Sequence, residues 1–318
     1  MDMIRLEAHA KINLSLDVLR RRKDGYHEVR MIMQSLSLCD DIYMEALPGR
    51  DEIILEPYGG QKTAADGADS GEAGTGVHGI SEVPYDGHNL MYKAAKLMRE
   101  TCGIRDGIRM RLDKRIPTAA GLAGGSSDAA AVLRGMNDLF ELHLDEQKLC
   151  ETGVKIGADV PYCLMGGTAL AEGIGEVLTE LPAAPPCRVL LAKPARGVST
   201  KAVYEALCVN ERPAEAHPDI DAVISALQDK NIKKLCARMG NILELPAVPM
   251  APEVPKLKEA MLELGAMGTL MSGSGPTVFG LFTDNALLEN AAVQLRTGAY
   301  HDLCDTVIET SFYRITAL

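Results

Sequence analysis

Pro117-Thr-Ala-Ala-Gly-Leu-Ala-Gly-Gly-Ser-Ser-Asp-Ala-Ala-Ala-Val132 carries three glycines, Gly121, Gly124 and Gly125, and two serines, Ser126 and Ser127, straight into an alanine-rich helix start. Glycine lets backbone N–H groups turn toward one point and lets a ligand come close. A helix beginning near Ser126 adds unpaired N–H groups and the positive end of its dipole, with the two serines as candidate caps. Loop and helix start together form an anion site suited to phosphate. The common P-loop is excluded, because it requires a Gly-Lys dipeptide and the chain has none.

The 318 residues suit two domains, and 47% hydrophobic residues supply a sizeable core. With no Trp and 4% aromatics, Ala, Leu, Val, Ile and the 15 Met do the packing. A net charge of −11 argues against a nucleic-acid surface, which needs clustered Lys and Arg. Arg20–Lys23, the one compact basic run, reads as a solvated turn between strands. The eight Cys form no Cys-x-x-Cys pair and no zinc spacing, so they read as reduced, scattered thiols. The N-terminus does not read as a signal peptide and no apolar run has membrane-spanning length, so a cytoplasmic protein is expected.

Alternation over Ile4–Asp17 predicts one long strand or a strand pair, with Asp24-Gly25 as a hairpin turn and Val29–Leu38, Asp41–Leu47 and Glu52–Glu56 as further strands. Gly59–Gly79 is rich in glycine and poor in apolar residues and reads as a flexible surface insertion. Its Gly74-Thr-Gly76-Val-His-Gly79 match to a dinucleotide fingerprint is fortuitous, having no strand before it and no helix directly after. Asn89–Cys102 is an amphipathic helix and Ile108–Leu112 a strand feeding the glycine loop. Strands and helices mix without regular βαβ repetition, which points to an α+β fold.

Four further segments hold more polar or glycine residues than their elements require. Lys11 and Asn13 share one face of the strand Ala10–Leu14, whose other face carries Ile12 and Leu14. Gly25-Tyr26-His27 ends a turn in two side chains able to stack and hydrogen-bond. Gly157-Ala-Asp159-Val-Pro161 offers either a turn or a fixed carboxylate acting as general base. Ser272-Gly273-Ser274-Gly275-Pro276-Thr277 is a second small-residue loop, able to face a polyphosphate.

Together these segments resemble the GHMP kinase superfamily, which includes galactokinase, homoserine kinase and mevalonate kinase. Pro117–Val132 is similar to its phosphate-binding motif, Ala10–Leu14 to its lysine–asparagine strand and Ser272–Thr277 to its third glycine motif. The Arg-x-Asp-Gly-Tyr-His arrangement ending at His27, and Gly157–Pro161 with Gly166-Gly167-Thr168 after it, resemble the branch that acts on a cytidine-diphosphate sugar alcohol. The likeness runs from residue 8 to about residue 282. It implies a two-domain α+β architecture, with an N-terminal domain of a type also found in ribosomal proteins and a ferredoxin-like α/β C-terminal domain. The expected bounds are 1–166 and 167–318, with the insertion at about 59–82.

The resemblance also implies an activity: ATP-dependent phosphorylation of the 2-hydroxyl of 4-diphosphocytidyl-2-C-methyl-D-erythritol, on the non-mevalonate route to isoprenoid precursors. Asp159 is then the acceptor of the hydroxyl proton, and Lys11 holds Asp159 and the transferring phosphate. Pro117, Ala120, Gly121, Leu122, Ala123, Gly124, Gly125, Ser126 and Ser127 cradle the ATP phosphates, Asn89 reads adenine and Lys114 approaches the nucleotide. Asn13 contacts the acceptor near its phosphates, Tyr26 and His27 hold cytosine, Tyr204 supplies a second stacking ring, and Gly273, Ser274 and Gly275 complete the acceptor side. Mg²⁺ is expected with ATP, yet no acidic pair is assignable as its ligands; Ser127 offers one hydroxyl. Small-molecule partners, no nucleic acid, no membrane, and a monomer or weak homodimer are expected.

Ala123, where some members carry glycine, matters only if its position requires a positive φ. Two alternatives stay open: another GHMP kinase of homoserine or mevalonate type, and a catalytically silent nucleotide sensor on the same fold. The ring-bearing Tyr26–His27 turn argues against the first, and the presence of both Lys11 and Asp159 against the second.

Overall fold

The computed structural model describes residues 3–60 and 83–313. The insertion expected at 59–82, Gly59 and Gly60 aside, lies outside the described residues. The chain groups into two compact units that are not contiguous in sequence: Met1–Ala10, Leu38–Thr118 and Ala123–Met165 form the first, and Lys11–Ser37, Ala119–Leu122 and Gly166–Leu318 the second. The sequence led us to expect a linear boundary at 166/167; the contacts instead carry Lys11–Ser37 and Ala119–Leu122 over to the C-terminal unit. Two long strands, β1 (Ile4–Arg21) and β2 (His27–Leu47), contribute one end to each unit.

In the first unit, β3 (Ile53–Pro57), α1 (Leu90–Cys102), β4 (Gly107–Asp113), α2 (Gly124–Leu139), α3 (Glu146–Gly153) and α4 (Val160–Met165) join the ends of β1 and β2. β3 runs parallel to β4, which pairs antiparallel with β2 in the register Asp41↔Asp113 to Leu47↔Gly107. Ile108, Met110 and Leu112 point inward from β4, while Arg109 and Arg111 point outward to Glu45 and Glu56. That period of two is what a half-buried strand requires. The inward face meets Ala94, Ala95 and Met98 of α1 and Ala129–Leu133 and Met136 of α2. Each fully buried large side chain of this kind contributes roughly 1.5–3 kcal/mol. Asn89 caps α1 by accepting from Met91 N at 2.8 Å, and Gly103 closes it at φ 68°.

In the second unit, β2 pairs antiparallel with β5 (Thr168–Glu172), which pairs with β6 (Val177–Glu180). The rest comprises β7 (Arg188–Lys193), α5 (Thr200–Ala206), α6 (Ile220–Gln228), α7 (Ile232–Arg238), α8 (Glu244–Ala247), α9 (Glu253–Glu263), β8 (Gly268–Met271), β9 (Val278–Phe282), α10 (Asn285–Arg296) and β10 (Thr306–Ser311). Strand order β10-β7-β9-β8, antiparallel throughout, is the ferredoxin-like arrangement expected of this half. Among the described residues no helix is long and apolar enough to cross a membrane.

The sequence divides β2 into Val29–Leu38 and Asp41–Leu47 around Cys39-Asp40, whereas the structure runs one strand through the adjacent carboxylates Asp40 and Asp41. The strand continues because both are paired. Asp40 Oδ1 accepts the N–H groups of Arg115 (2.6 Å) and Ile116 (2.8 Å), and its Oδ2 takes the Lys114 ammonium. Asp41 is held between Arg5 and Arg115 at 2.7 and 2.6 Å. Lys114 also donates to Asp128 Oδ2 of α2 at 2.8 Å, completing a buried carboxylate–ammonium–carboxylate triad. Burial lowers the Lys114 pKa, but its two carboxylate partners outweigh that and leave it raised. Asp128 is raised by burial and by Asp40, against the pull of Lys114.

Lys114→Met leaves two buried carboxylates without their cation and should cost about 3–5 kcal/mol in urea unfolding; a loss under about 1 kcal/mol would refute the triad. Because the Asp128 pKa is raised on folding, the folded state favours its proton more than the unfolded chain does. Its stabilisation is complete below the ordinary Asp value near 4 and is lost as pH rises through the raised one. Asp128→Asn should therefore flatten the alkaline fall in melting temperature, and an unchanged fall would exclude this origin.

Candidate active site

Each unit carries part of the predicted constellation. In the first, α2 begins at Gly124, two residues earlier than the sequence indicated, with Ala123 at its N-cap. Ala123 sits at φ 55° and makes no side-chain cap bond, so the expected serine caps are incorrect. Ser126 and Ser127 lie inside the first turn, and the buried Ser127 hydroxyl donates to His9 O at 2.7 Å. The positive φ at Ala123, shared by Ala119 at 49°, answers the question its sequence posed: the position does need the left-handed region, where an alanine is strained. The opening amides of α2, at Gly124, Gly125 and Ser126, have no partner within the helix, an arrangement of the kind that suits an anion.

Around that helix start lie other predicted residues. A Cβ on Gly125 would meet Leu90 Cδ1 at 3.6 Å, which brings the head of α1 and its cap Asn89 beside the loop. Asn89 spends its Oδ1 on Met91 N and its amide on Pro84 O at 2.7 Å, so the residue expected to read adenine first holds the α1 terminus. Lys114 is a departure of the same kind. Its ammonium lies under Gly124, 2.9 Å from where a Cβ would stand, and is neutralised by Asp40 and Asp128. Pro117 is buried. A Cβ on Gly157 would stand 3.7 Å from Ser126 Oγ, so the Gly157–Pro161 turn packs beside the same helix start. Asp159 occupies that turn, half-buried, just ahead of α4, and its main-chain carbonyl accepts from Cys163 N at 3.0 Å. Among the described residues, none makes a hydrogen bond or ion pair with the Asp159 carboxylate.

In the second unit, Lys11 and Asn13 are buried on β1, with Lys11 Nζ donating to Asn13 Oδ1 at 2.7 Å and Asn13 Nδ2 contacting Met31 Sδ at 3.2 Å. Ala120 and Leu122 are buried, and Lys11 N donates to Leu122 O at 3.1 Å. Gly121, at φ 74°, lies against the second glycine loop: an added Cβ would fall 2.2 Å from Ser272 O. Ser272 Oγ returns a bond to Gly121 O at 3.0 Å. A Cβ on Gly273 would stand 3.5 Å from both Lys11 Nζ and Asn13 Oδ1. Ser274 Oγ pairs with Thr200 Oγ1 at 2.8 Å, and Gly275 has φ 81°. His27 and Tyr204 face each other with ring centroids 5.1 Å apart and planes at 41°, while Tyr26 beside them is 60% exposed. Burial and the Arg21 charge lower the His27 pKa, so the ring is neutral at pH 7.

A dedicated Mg²⁺ site does not emerge. Among the described residues, one group of three potential metal ligands converges, Glu7, Cys39 and Asp41. It does not fit Mg²⁺: guanidinium groups occupy both Asp41 oxygens, and burial, with its carboxylate neighbours, pushes the Cys39 thiol up to about 11.

Known proteins resemble the chain over nearly its whole length. The model of the GHMP kinases N terminal domain matches residues 89–167 and that of the GHMP kinases C terminal region residues 223–301. The chain is 49% identical over 284 residues to a 4-diphosphocytidyl-2-C-methyl-D-erythritol kinase of Lachnospira eligens, covering 89% of this chain and 90% of that one. To the enzyme of that name from Geobacillus kaustophilus it is 46% identical over 302 residues, covering 95% and 94%. A crystal structure of 4-(cytidine 5'-diphospho)-2C-methyl-D-erythritol kinase superposes with a TM-score of 0.74 at 32% identity, covering 97% and 98%. A homoserine kinase from Cytophaga hutchinsonii, at 20% identity, shares the fold with a TM-score of 0.72 over 98% and 94%.

Gly121→Ala should disrupt the packing of the two glycine loops: urea unfolding should show a loss of at least about 2 kcal/mol, since backbone rather than a mobile side chain blocks the new Cβ. A neutral effect would contradict the 2.2 Å approach. In an NMR titration the His27 imidazole should turn over below the ordinary 6.5, and Arg21→Ala should move its midpoint upward. Because the unfolded chain takes up this proton first as pH falls, His27 adds stability at neutral pH that is lost on acidification. A midpoint unmoved by Arg21→Ala would remove Arg21 as a cause.

Proposed function

The chain belongs to the 4-diphosphocytidyl-2-C-methyl-D-erythritol kinases of the GHMP kinase family, and on that premise we propose that it catalyses ATP-dependent phosphorylation of the 2-hydroxyl of 4-diphosphocytidyl-2-C-methyl-D-erythritol. It is a small-molecule phosphotransferase with ATP as co-substrate. The observation carrying the choice of acceptor is the His27–Tyr204 ring pair, on a fold that homoserine kinases also use. A planar base gains roughly 1–3 kcal/mol from an aromatic stack, whereas homoserine and mevalonate have no ring to offer. The neutral His27 imidazole has one donor and one acceptor for the edge of cytosine.

Phosphoryl transfer asks a protein chiefly for positioning and charge. The free amides at the start of α2 receive ATP phosphate oxygens. Asp159, unpaired among the described residues, takes the proton of the acceptor hydroxyl as the hydroxyl oxygen bonds to the γ-phosphorus and ADP leaves. Lys11, whose local partner Asn13 is neutral, retains its charge for the transferring phosphoryl group. Mg²⁺ carried on the ATP phosphates would offset their charge; among the described residues the one converging group of potential ligands, Glu7, Cys39 and Asp41, does not fit it.

A coupled ADP-release assay offering diphosphocytidyl-methylerythritol, homoserine and mevalonate in parallel should show turnover with the first alone. Folded protein with Mg²⁺ that leaves the first untouched would end this reading. Asp159→Asn should keep ATP binding and lose turnover by about 10²–10⁴-fold; near-normal turnover would remove Asp159 from proton transfer.

A further inference from the structure

Behind the Ser272–Gly275 turn stands a residue that belongs to none of the motifs. Asn241 is buried, and its amide donates both hydrogens into the turn, to Met271 O at 2.8 Å and to Gly273 O at 2.8 Å. Its Oδ1 accepts from Leu243 N at 3.0 Å. One turn on, Glu244 Oε1 accepts the Met271 N–H at 2.9 Å, and Lys258 fixes Glu244 Oε2 at 2.6 Å. The two side chains thus hold the N–H and C=O of Met271 and the carbonyl of Gly273.

This grip is anchored to the strand that carries Lys11 and Asn13. Leu16 N donates to Gly240 O at 2.8 Å, Ile242 N to Leu16 O at 3.1 Å, and Ser15 Oγ to Gly240 O at 2.9 Å. Asn241 therefore joins two things that must stay in register: β1 and the Gly273 peptide lying against the Lys11–Asn13 pair. Asparagine is chemically suited to this. It presents two donors on one planar head, enough for two carbonyls, and an acceptor for its own backbone. Aspartate, ionised, would present oxygen to oxygen, and an apolar side chain would leave two buried carbonyls unpaired.

We propose that Asn241 is a positioning residue for the acceptor, setting the Gly273 peptide against Lys11 and Asn13; this rests on the assignment of Gly273–Gly275 to the acceptor side. Asn241→Asp removes both donors at neutral pH while preserving shape. It should raise the acceptor KM on the order of tenfold at pH 8, the scale of a lost buried hydrogen bond, with the ATP KM changed by less than about threefold. Acidification toward pH 6 protonates a carboxyl held against two carbonyls and restores one donor, so the deficit should shrink with falling pH, unlike a general loss of folding.

Unchanged acceptor KM in Asn241→Asp would overturn the proposal, as would a joint rise of both KM values without recovery at low pH. Should that variant melt below the assay temperature, Asn241→Ser, which keeps one donor, must show the same acceptor-selective rise. Gly273→Ala separates the premises. If it leaves the acceptor KM untouched, the assignment of the turn fails and the proposal falls with it. If it raises the acceptor KM while Asn241→Asp does not, the role of Asn241 alone falls.

Discussion

The second unit is organised around a place where a side chain cannot exist. Gly121 and Ser272 pass so closely that any Cβ on Gly121 would stand 2.2 Å from a carbonyl oxygen. Because the backbones can meet there, Leu122 O reaches Lys11 N and Ser272 Oγ reaches Gly121 O. Gly273 is thereby delivered to the Lys11–Asn13 pair. Three stretches remote in sequence become one surface through this approach, and the side chains that carry charge are placed by the backbone beneath them.

Two buried lysines show how environment assigns a role. Lys114 meets two carboxylates and is neutralised; its use is to hold β2, β4 and α2 together in the first unit. Lys11 meets the carbonyl oxygen of a neutral amide, so its positive charge is not cancelled locally. A buried cation without a counter-charge has electrostatic work left to perform on a ligand, while one between two carboxylates does not. Residue type and burial alone do not distinguish them, since both are equally hidden.

The two glycine loops were legible in the sequence, because glycine spacing survives without knowledge of partners. Tyr204, far from His27 in the chain, lies with its ring centroid 5.1 Å from the imidazole. What was misread depended on partners distant in the chain. Ser126 and Ser127 look like caps until Ala123 takes that position in the left-handed region, a choice propensity does not anticipate. The break expected at Cys39-Asp40 closes because Lys114, Arg115 and Arg5 pair with Asp40 and Asp41. Asn241 gave no signal at all: it is a single asparagine beside a glycine, and its meaning lies in carbonyls some thirty residues downstream.

The division of the chain into interleaved units bears on how the protein is made. The ribosome delivers Lys11–Ser37 and Ala119–Leu122 long before the Gly166–Leu318 segment that completes their unit. Until then the inner halves of β1 and β2 have unmatched edges and apolar faces, a condition that invites mispairing during vectorial synthesis. Cutting the gene at residue 166 would consequently not yield two self-sufficient pieces, and the nascent N-terminal half is the stage at which a holding chaperone has most to protect.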